Sequence, residues 1–224
     1  FNNGSIIYLC NLVRNIDISG NDVNEDEWSA VITANSQRLF GKLLGIPDLY
    51  ETGTAIEKRG AEVSREISQM LRPFLVTESV AGGTVDLSTK DLGYFLAINP
   101  SSITGRGFDE LEASEYADRV GDSVVAPTEK DPIFSWNDGN TILTAPSTLN
   151  PITLKYYKHP TDAVVVFTQN ATTLKRTYDT VSSTETGWAK KELIEIAYMC
   201  LRDIGVNMER QDVAQYANQI VANE

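Results

Sequence analysis

Arg72-Pro73-Phe74-Leu75-Val76-Thr77-Glu78-Ser79-Val80-Ala81-Gly82-Gly83-Thr84-Val85-Asp86-Leu87 is the stretch at which the chain changes period. Pro73 has no N–H to give a helix and restricts the residue before it, so a helix arriving from upstream stops at Arg72. Beyond it, Phe74 to Val80 and Gly83 to Leu87 surround Ala81-Gly82-Gly83, a pattern that predicts a β-hairpin. The question this junction poses is how much helix precedes it and how much strand follows.

Upstream, apolar residues recur at three- and four-residue steps. Ile6, Leu9, Cys10, Val13 and Ile16 make one helical stripe, with Ser5 as its expected N-cap. After a polar loop, Asn24 and Glu27 have capping-box spacing in front of Trp28, Val31, Ile32, Leu39 and Leu43, and Gly45 with Pro47 ends that helix. Ile56, Val63, Ile67, Met70 and Leu71 predict a third helix running to Arg72.

Downstream, Tyr94 to Ile98 reads as a strand closed by Asn99-Pro100, and Glu110 to Val120 as a helix carrying Leu111, Tyr116 and Val120. Ile133 to Trp136 and Thr141 to Thr144 flank Asn137-Asp138-Gly139-Asn140, a strong hairpin signal, and Ile152 to Tyr157 adds another strand. Val164 to Phe167 and Leu174 to Tyr178 predict further short strands. Trp188, Leu193, Ile194, Ala197, Tyr198, Leu201 and Ile204 then restore a helical stripe, with Gly205 as its expected stop and a last helix from about Met208.

Neither end has enough apolar faces to bury its own helices. The expected fold is therefore α+β: N- and C-terminal helices, residues 1–72 and 188–224, form one helical bundle. A β-rich insertion of short antiparallel strands, residues 73–187, lies between them.

The composition narrows function by exclusion. The 224 residues are 42% hydrophobic and 22% charged, with only 15 Gly and 8 Pro, so a packed globular core is expected. Nineteen Lys and Arg against 31 Asp and Glu give a formal charge of -12, with the acidic residues read as spread along the chain. DNA binding needs clustered cations, and no grouping is denser than a pair such as Lys58-Arg59 or Lys190-Lys191, which are expected on solvated helix faces. The longest apolar runs, such as Ala163 to Phe167, are too short for a signal peptide or membrane span, so the expected product is soluble and made in the cytoplasm. Because the sequence begins at Phe1 without a Met, a few leading residues are expected to be cleaved or to lie outside this numbering.

The constellations that carry chemistry fail one by one. Asp17, Ser19 and Asn21 alternate like the start of a calcium loop, but Asp22 and Trp28 stand where such a loop needs Gly and a bidentate Glu. The single histidine, His159, sits in Lys158-His159-Pro160 without a nucleophile motif and is expected at the surface end of a strand. Ala81-Gly82-Gly83-Thr84 and Gly105-Arg106-Gly107 lack the surroundings of a phosphate loop and read as turns. Carboxylate pairs, Asp109-Glu110, Glu192 with Glu195 and Asp86 with Asp91, mean little in so acidic a chain. Cys10 and Cys200 read as small buried hydrophobes rather than a disulfide or zinc site. Trp28, Trp136, Trp188 and Tyr156-Tyr157 are first expected in the core, with interface anchoring as their other use. No catalytic, metal or cofactor-binding residue is expected.

One resemblance bears on function. Glu27 to Tyr50, with Trp28, Asn35, Leu39, Phe40, Leu44-Gly45 and Tyr50, is followed by Asp91 to Ile98 and by Arg119-Val120-Gly121-Asp122-Ser123-Val124-Val125-Ala126-Pro127-Thr128. Together with Pro132 to Leu143, Thr153 to Pro160 and Glu192 to Tyr216, this order resembles the head-to-tail connector, adaptor or ring, proteins of short-tailed, crAss-like bacteriophages. The resemblance covers most of the chain and rests on spacing and residue type. It implies a virion structural protein without an active site, forming a cyclic homo-oligomer, commonly twelvefold, beneath the portal. Other tail or ring proteins are the implied neighbours, and DNA passes through the channel without specific binding; no membrane is involved. Loops such as Asp138-Gly139 and Thr161 to Ser183 are expected to reach neighbouring layers. Val164 to Gly187 departs from the pattern and is expected to be a loop ordered by a neighbour. The alternatives are a virion-associated hydrolase using paired carboxylates and an assembly or scaffolding factor, which is expected to be more helical.

Overall fold

A computed structural model of the chain describes residues 2–14, 23–45, 65–101, 107–172 and 176–207. The fold is mixed α and β, with five helices and nine strands among the described residues. It divides into two compact units, Phe1–Pro73 with Pro160–Glu224 and Phe74–His159. The polar loop after Ile16, most of the third helix and the last helix from Met208 lie outside the described residues.

In the first unit, α1 (Asn3–Arg14) starts two residues before the expected N-cap. Asn2 does the capping: its Oδ1 accepts from Ser5 N at 2.9 Å, and Asn2 N donates to Ser5 Oγ at 3.2 Å. The short amide side chain and the serine satisfy one another's amides reciprocally, so Ser5 sits inside the first turn. The cap of α2 (Glu25–Leu44) is the one its sequence announces, with Asn24 and Glu27 bonded both ways and Gly45 left-handed at φ 70° behind the last turn. The helix α3 (Arg65–Met70) ends two residues before the expected stop at Arg72, and Pro73 lies in a short 3-10 helix, Arg72–Phe74. The C-terminal helix α5 (Lys190–Asn207) runs through Gly205 rather than stopping there. A glycine inside a helix costs about 1 kcal/mol against alanine but does not end it without a left-handed turn.

Both α1 and α2 pack on α5. Ile6, Cys10, Trp28, Ile32, Leu39, Phe40, Trp188, Ile196 and Cys200 are buried there. Phe40 and Trp188 meet edge to face with ring centres 6.5 Å apart. Each such large side chain contributes about 1.5–3 kcal/mol on leaving water.

Pro160 to Gly187, expected within the β region, belongs to this helical unit. Its backbone is zipped to one face of α2. Ala163 N donates to Thr33 Oγ1 at 2.8 Å, Val165 N to Ser29 Oγ at 2.9 Å and Phe167 N to Glu25 Oε1 at 2.7 Å. Gln37 extends the row by donating to Asp162 at 3.1 Å. Four helical residues rise about 6 Å and two extended residues span about 6.6 Å. Acceptors at i, i+4 and i+8 therefore match amides at every second residue of an extended strand. The segment then folds back as β8 (Phe167–Gln169) and β9 (Arg176–Tyr178), which pair antiparallel, and Val164 pairs with Thr184. The expectation of a loop ordered by a neighbour is corrected here: the described parts of this stretch are ordered by α2 and by one another.

The second unit holds two sheets. In one, β7 (Ile152–Lys158) lies between β1 (Leu75–Val80) and β3 (Leu92–Pro100), both antiparallel to it. In the other the order is β2 (Thr84–Asp86), β6 (Thr141–Ala145), β5 (Ile133–Asp138) and β4 (Asp109–Glu110). The β5–β6 hairpin is the one its Asn137 to Asn140 turn predicts. The expected hairpin of Phe74 to Val80 with Gly83 to Leu87 does not form. Its two strands pair with β7 and β6 in different sheets, and Ala81-Gly82-Gly83 is a corner. Gly83 takes φ 98°, and a Cβ on Gly82 would collide with the Leu149 carbonyl oxygen. Gly83 N donates to Thr144 Oγ1 and Thr144 N to Gly83 O, each at 2.7 Å, which ties the corner to β6.

Val85, Leu87, Ile98, Phe108, Phe134, Ile142, Ile152, Leu154 and Tyr156 from both sheets fill one core. The short β4 runs parallel to β5, the one parallel pair among the described strands. After it comes α4 (Ala113–Gly121), a nine-residue helix without a buried residue.

Candidate functional site

The residues singled out by sequence do not converge. His159 is exposed just past the end of β7, where its N–H donates to Asp91 O at 3.3 Å. Asp17 to Asp22 and Lys58-Arg59 lie outside the described residues, and of Gly105-Arg106-Gly107 only Gly107 is described. Lys190 and Lys191 are exposed on the first turn of α5. Trp28, Trp188, Tyr156 and Tyr157 are buried, and Trp136 is half-buried against Phe95, with ring centres 5.3 Å apart.

The carboxylate pairs are separated in role. Glu192 is buried in the first turn of α5, whereas Glu195 reaches Lys42 of α2 at 3.2 Å. Asp86 is exposed, and its hydrogen bonds from Ser88, to the side chain first and the backbone second, hold its carboxyl below the usual carboxylate range. Asp91, Asp109 and Glu110 are exposed.

Both cysteines are buried. Cys10 Sγ donates to Ala197 O at 3.5 Å across the α1–α5 contact. Burial above all, with Cys10 and Asp203 nearby, pushes the Cys200 thiol well above its ordinary value. It is held as the neutral thiol, which is the poor nucleophile of the two forms.

What the fold does build is a set of displayed loops on rigid supports. The Asp138 carboxylate accepts from Asn140 N at 3.1 Å at the tip of the β5–β6 hairpin, and Leu87 N donates to Asn140 O at 2.8 Å behind it. In the helical unit, Asp179 folds the turn after β9: its carboxylate accepts from Val181 N at 2.9 Å and from the Ser182 hydroxyl at 2.8 Å. Those bonds, the Val181 amide first, hold Asp179 below its ordinary value and leave Val181 92% exposed. Glu185 anchors the same region to α1, accepting from Asn3 N at 2.8 Å and from Tyr178 O–H at 2.7 Å. Burial and that bond to Glu185 push the Tyr178 phenol up to about 12.

Sequence reasoning missed the Glu25, Ser29 and Thr33 row and the Glu185 anchor. The row had a signal, three polar residues at four-residue steps on one face of a capped helix; the anchor had none, because it joins residues far apart in the chain. No helix among the described residues is long and apolar enough to cross a membrane. Compared with known proteins, the chain matches no family model and no curated protein.

Proposed function

We propose that the chain is a non-enzymatic structural subunit of a phage particle, one copy of a ring of about twelve at the head-to-tail connector below the portal. In this reading the N- and C-terminal helices form one bundle with the β-rich region as an insertion. The bundles stand side by side around the ring, and the displayed loops reach the layers above and below. DNA passes through the channel without specific binding, an acidic protein surface being one it slides past.

The observation that carries the reading is the interrupted helical unit. The N-terminal helices α1 and α2 pack on α5, which follows the β region in sequence, while Phe74–His159 forms a separate unit between them in the chain. The order of segments that resembles ring proteins is the second support.

The test is electron microscopy of purified particles carrying a small tag inserted at Asp138-Gly139, at the tip of the β5–β6 hairpin. The expected result is tag density in a ring beneath the portal. Tag density elsewhere in the particle, or none, contradicts the reading.

A further inference from the structure

The even spread of acidic residues fails at one place. From Asp109 to Asp131 there are eight Asp or Glu and two Lys or Arg, so these 23 residues hold a formal charge of -6, half the chain's total of -12. Glu112, Glu115, Asp118, Asp122 and Glu129 are exposed there. In their midst stand three exposed valines, Val120 at 48%, Val124 at 88% and Val125 at 50%.

The valines are held out. Asp122 Oδ1 accepts from Val124 N at 2.6 Å and from Val125 N at 3.4 Å, fixing the turn that presents them. Behind them Arg119 Nη2 meets Asp131 Oδ2 at 2.7 Å, and the Thr128 and Asp131 backbones pair with each other. Adjacent β-branched residues fixed in water lose little freedom on being covered, and a grouped apolar patch inside a charged rim is the usual form of a contact surface.

We propose that the end of α4 and its following turn, Val120 with Val124 and Val125, form a docking site for a basic protein segment whose apolar residues are flanked by Lys and Arg. Charge complementarity selects this occupant. DNA and an anionic membrane are repelled by the rim, and a second copy of this acidic chain offers no cationic cluster beyond two-residue pairs. The proposal does not depend on the ring reading, since the surface is complete in one chain.

The test is fluorescence anisotropy of the intact chain with a labelled amphipathic peptide of Leu and Lys, alongside counterparts with Glu in place of Lys and with Ser in place of Leu. Saturable binding of the Leu/Lys peptide alone is expected, weakening with salt. Val124→Ser with Val125→Ser, and separately Glu115→Gln with Asp118→Asn, should each weaken it at least tenfold (~1.4 kcal/mol). Val124→Ser alone, at a position too exposed to affect folding, should weaken it by a smaller factor. Equal binding by the valine variants, or equal binding of the Ser/Lys peptide, overturns the proposal in favour of charge adhesion. Self-association in sedimentation that vanishes in Val124→Ser with Val125→Ser overturns it in favour of a second copy.

Discussion

Thr33 carries a hydroxyl that a valine of nearly the same size lacks, and the amide it serves, Ala163 N, lies in a segment 130 residues away. Thr33→Val keeps the volume and removes the acceptor, leaving that amide without a partner on a packed face. The expected cost is about 1–2 kcal/mol, seen as a lower urea midpoint with an unchanged slope. Tyr178 gives a second residue-scale test. Its folded pKa is raised from 10.0 to about 12 by burial and by Glu185. The protonated phenol therefore contributes stability that is complete below pH 10 and is lost as pH climbs through about 12. Tyrosinate absorbance should show a titration near 12 that Tyr178→Phe removes.

At the scale of elements, the corner between β1 and β2 depends on a glycine for space. Gly82→Ala drives a methyl into the Leu149 carbonyl oxygen, and a loss of roughly 2–4 kcal/mol is expected. Gly139→Ala, with nothing within 4 Å at the β5–β6 turn, should change stability by less than about 0.5 kcal/mol. Comparing their thermal midpoints separates a glycine that needs its size from one that does not.

These elements also show what a sequence makes legible. The Asn24 cap and the Asn137 to Asn140 hairpin were readable because their chemistry is complete within a few residues. The strand composition of Leu75 to Val80 and Thr84 to Asp86 was readable too, but not its pairing, since the partners lie 72 to 82 positions away for β1 and 55 to 59 for β2. Pro160 to Gly187 reads as sheet because β8 and β9 are strands, although of the expected Val164 to Phe167 strand only Phe167 lies in one; that the segment serves a helix depends on side-chain spacing along α2, which periodicity of apolar residues does not register. Val124 and Val125 gave no sequence sign of exposure, for apolar residues in a short run read equally well as core.

At the scale of the whole molecule, a helical unit built from segments on either side of a separate sheet unit in the chain goes with a charge of -12. Displayed loops on rigid supports suit repeated contacts with identical neighbours, and a ring fixes how many there are. Copy number is thus the quantity that follows most directly from the proposed role. Quantitative mass spectrometry of purified particles, scaled to the portal protein, should give about twelve copies of this chain per particle. A chain absent from particles, or present in hundreds of copies as a shell protein is, would contradict the connector role.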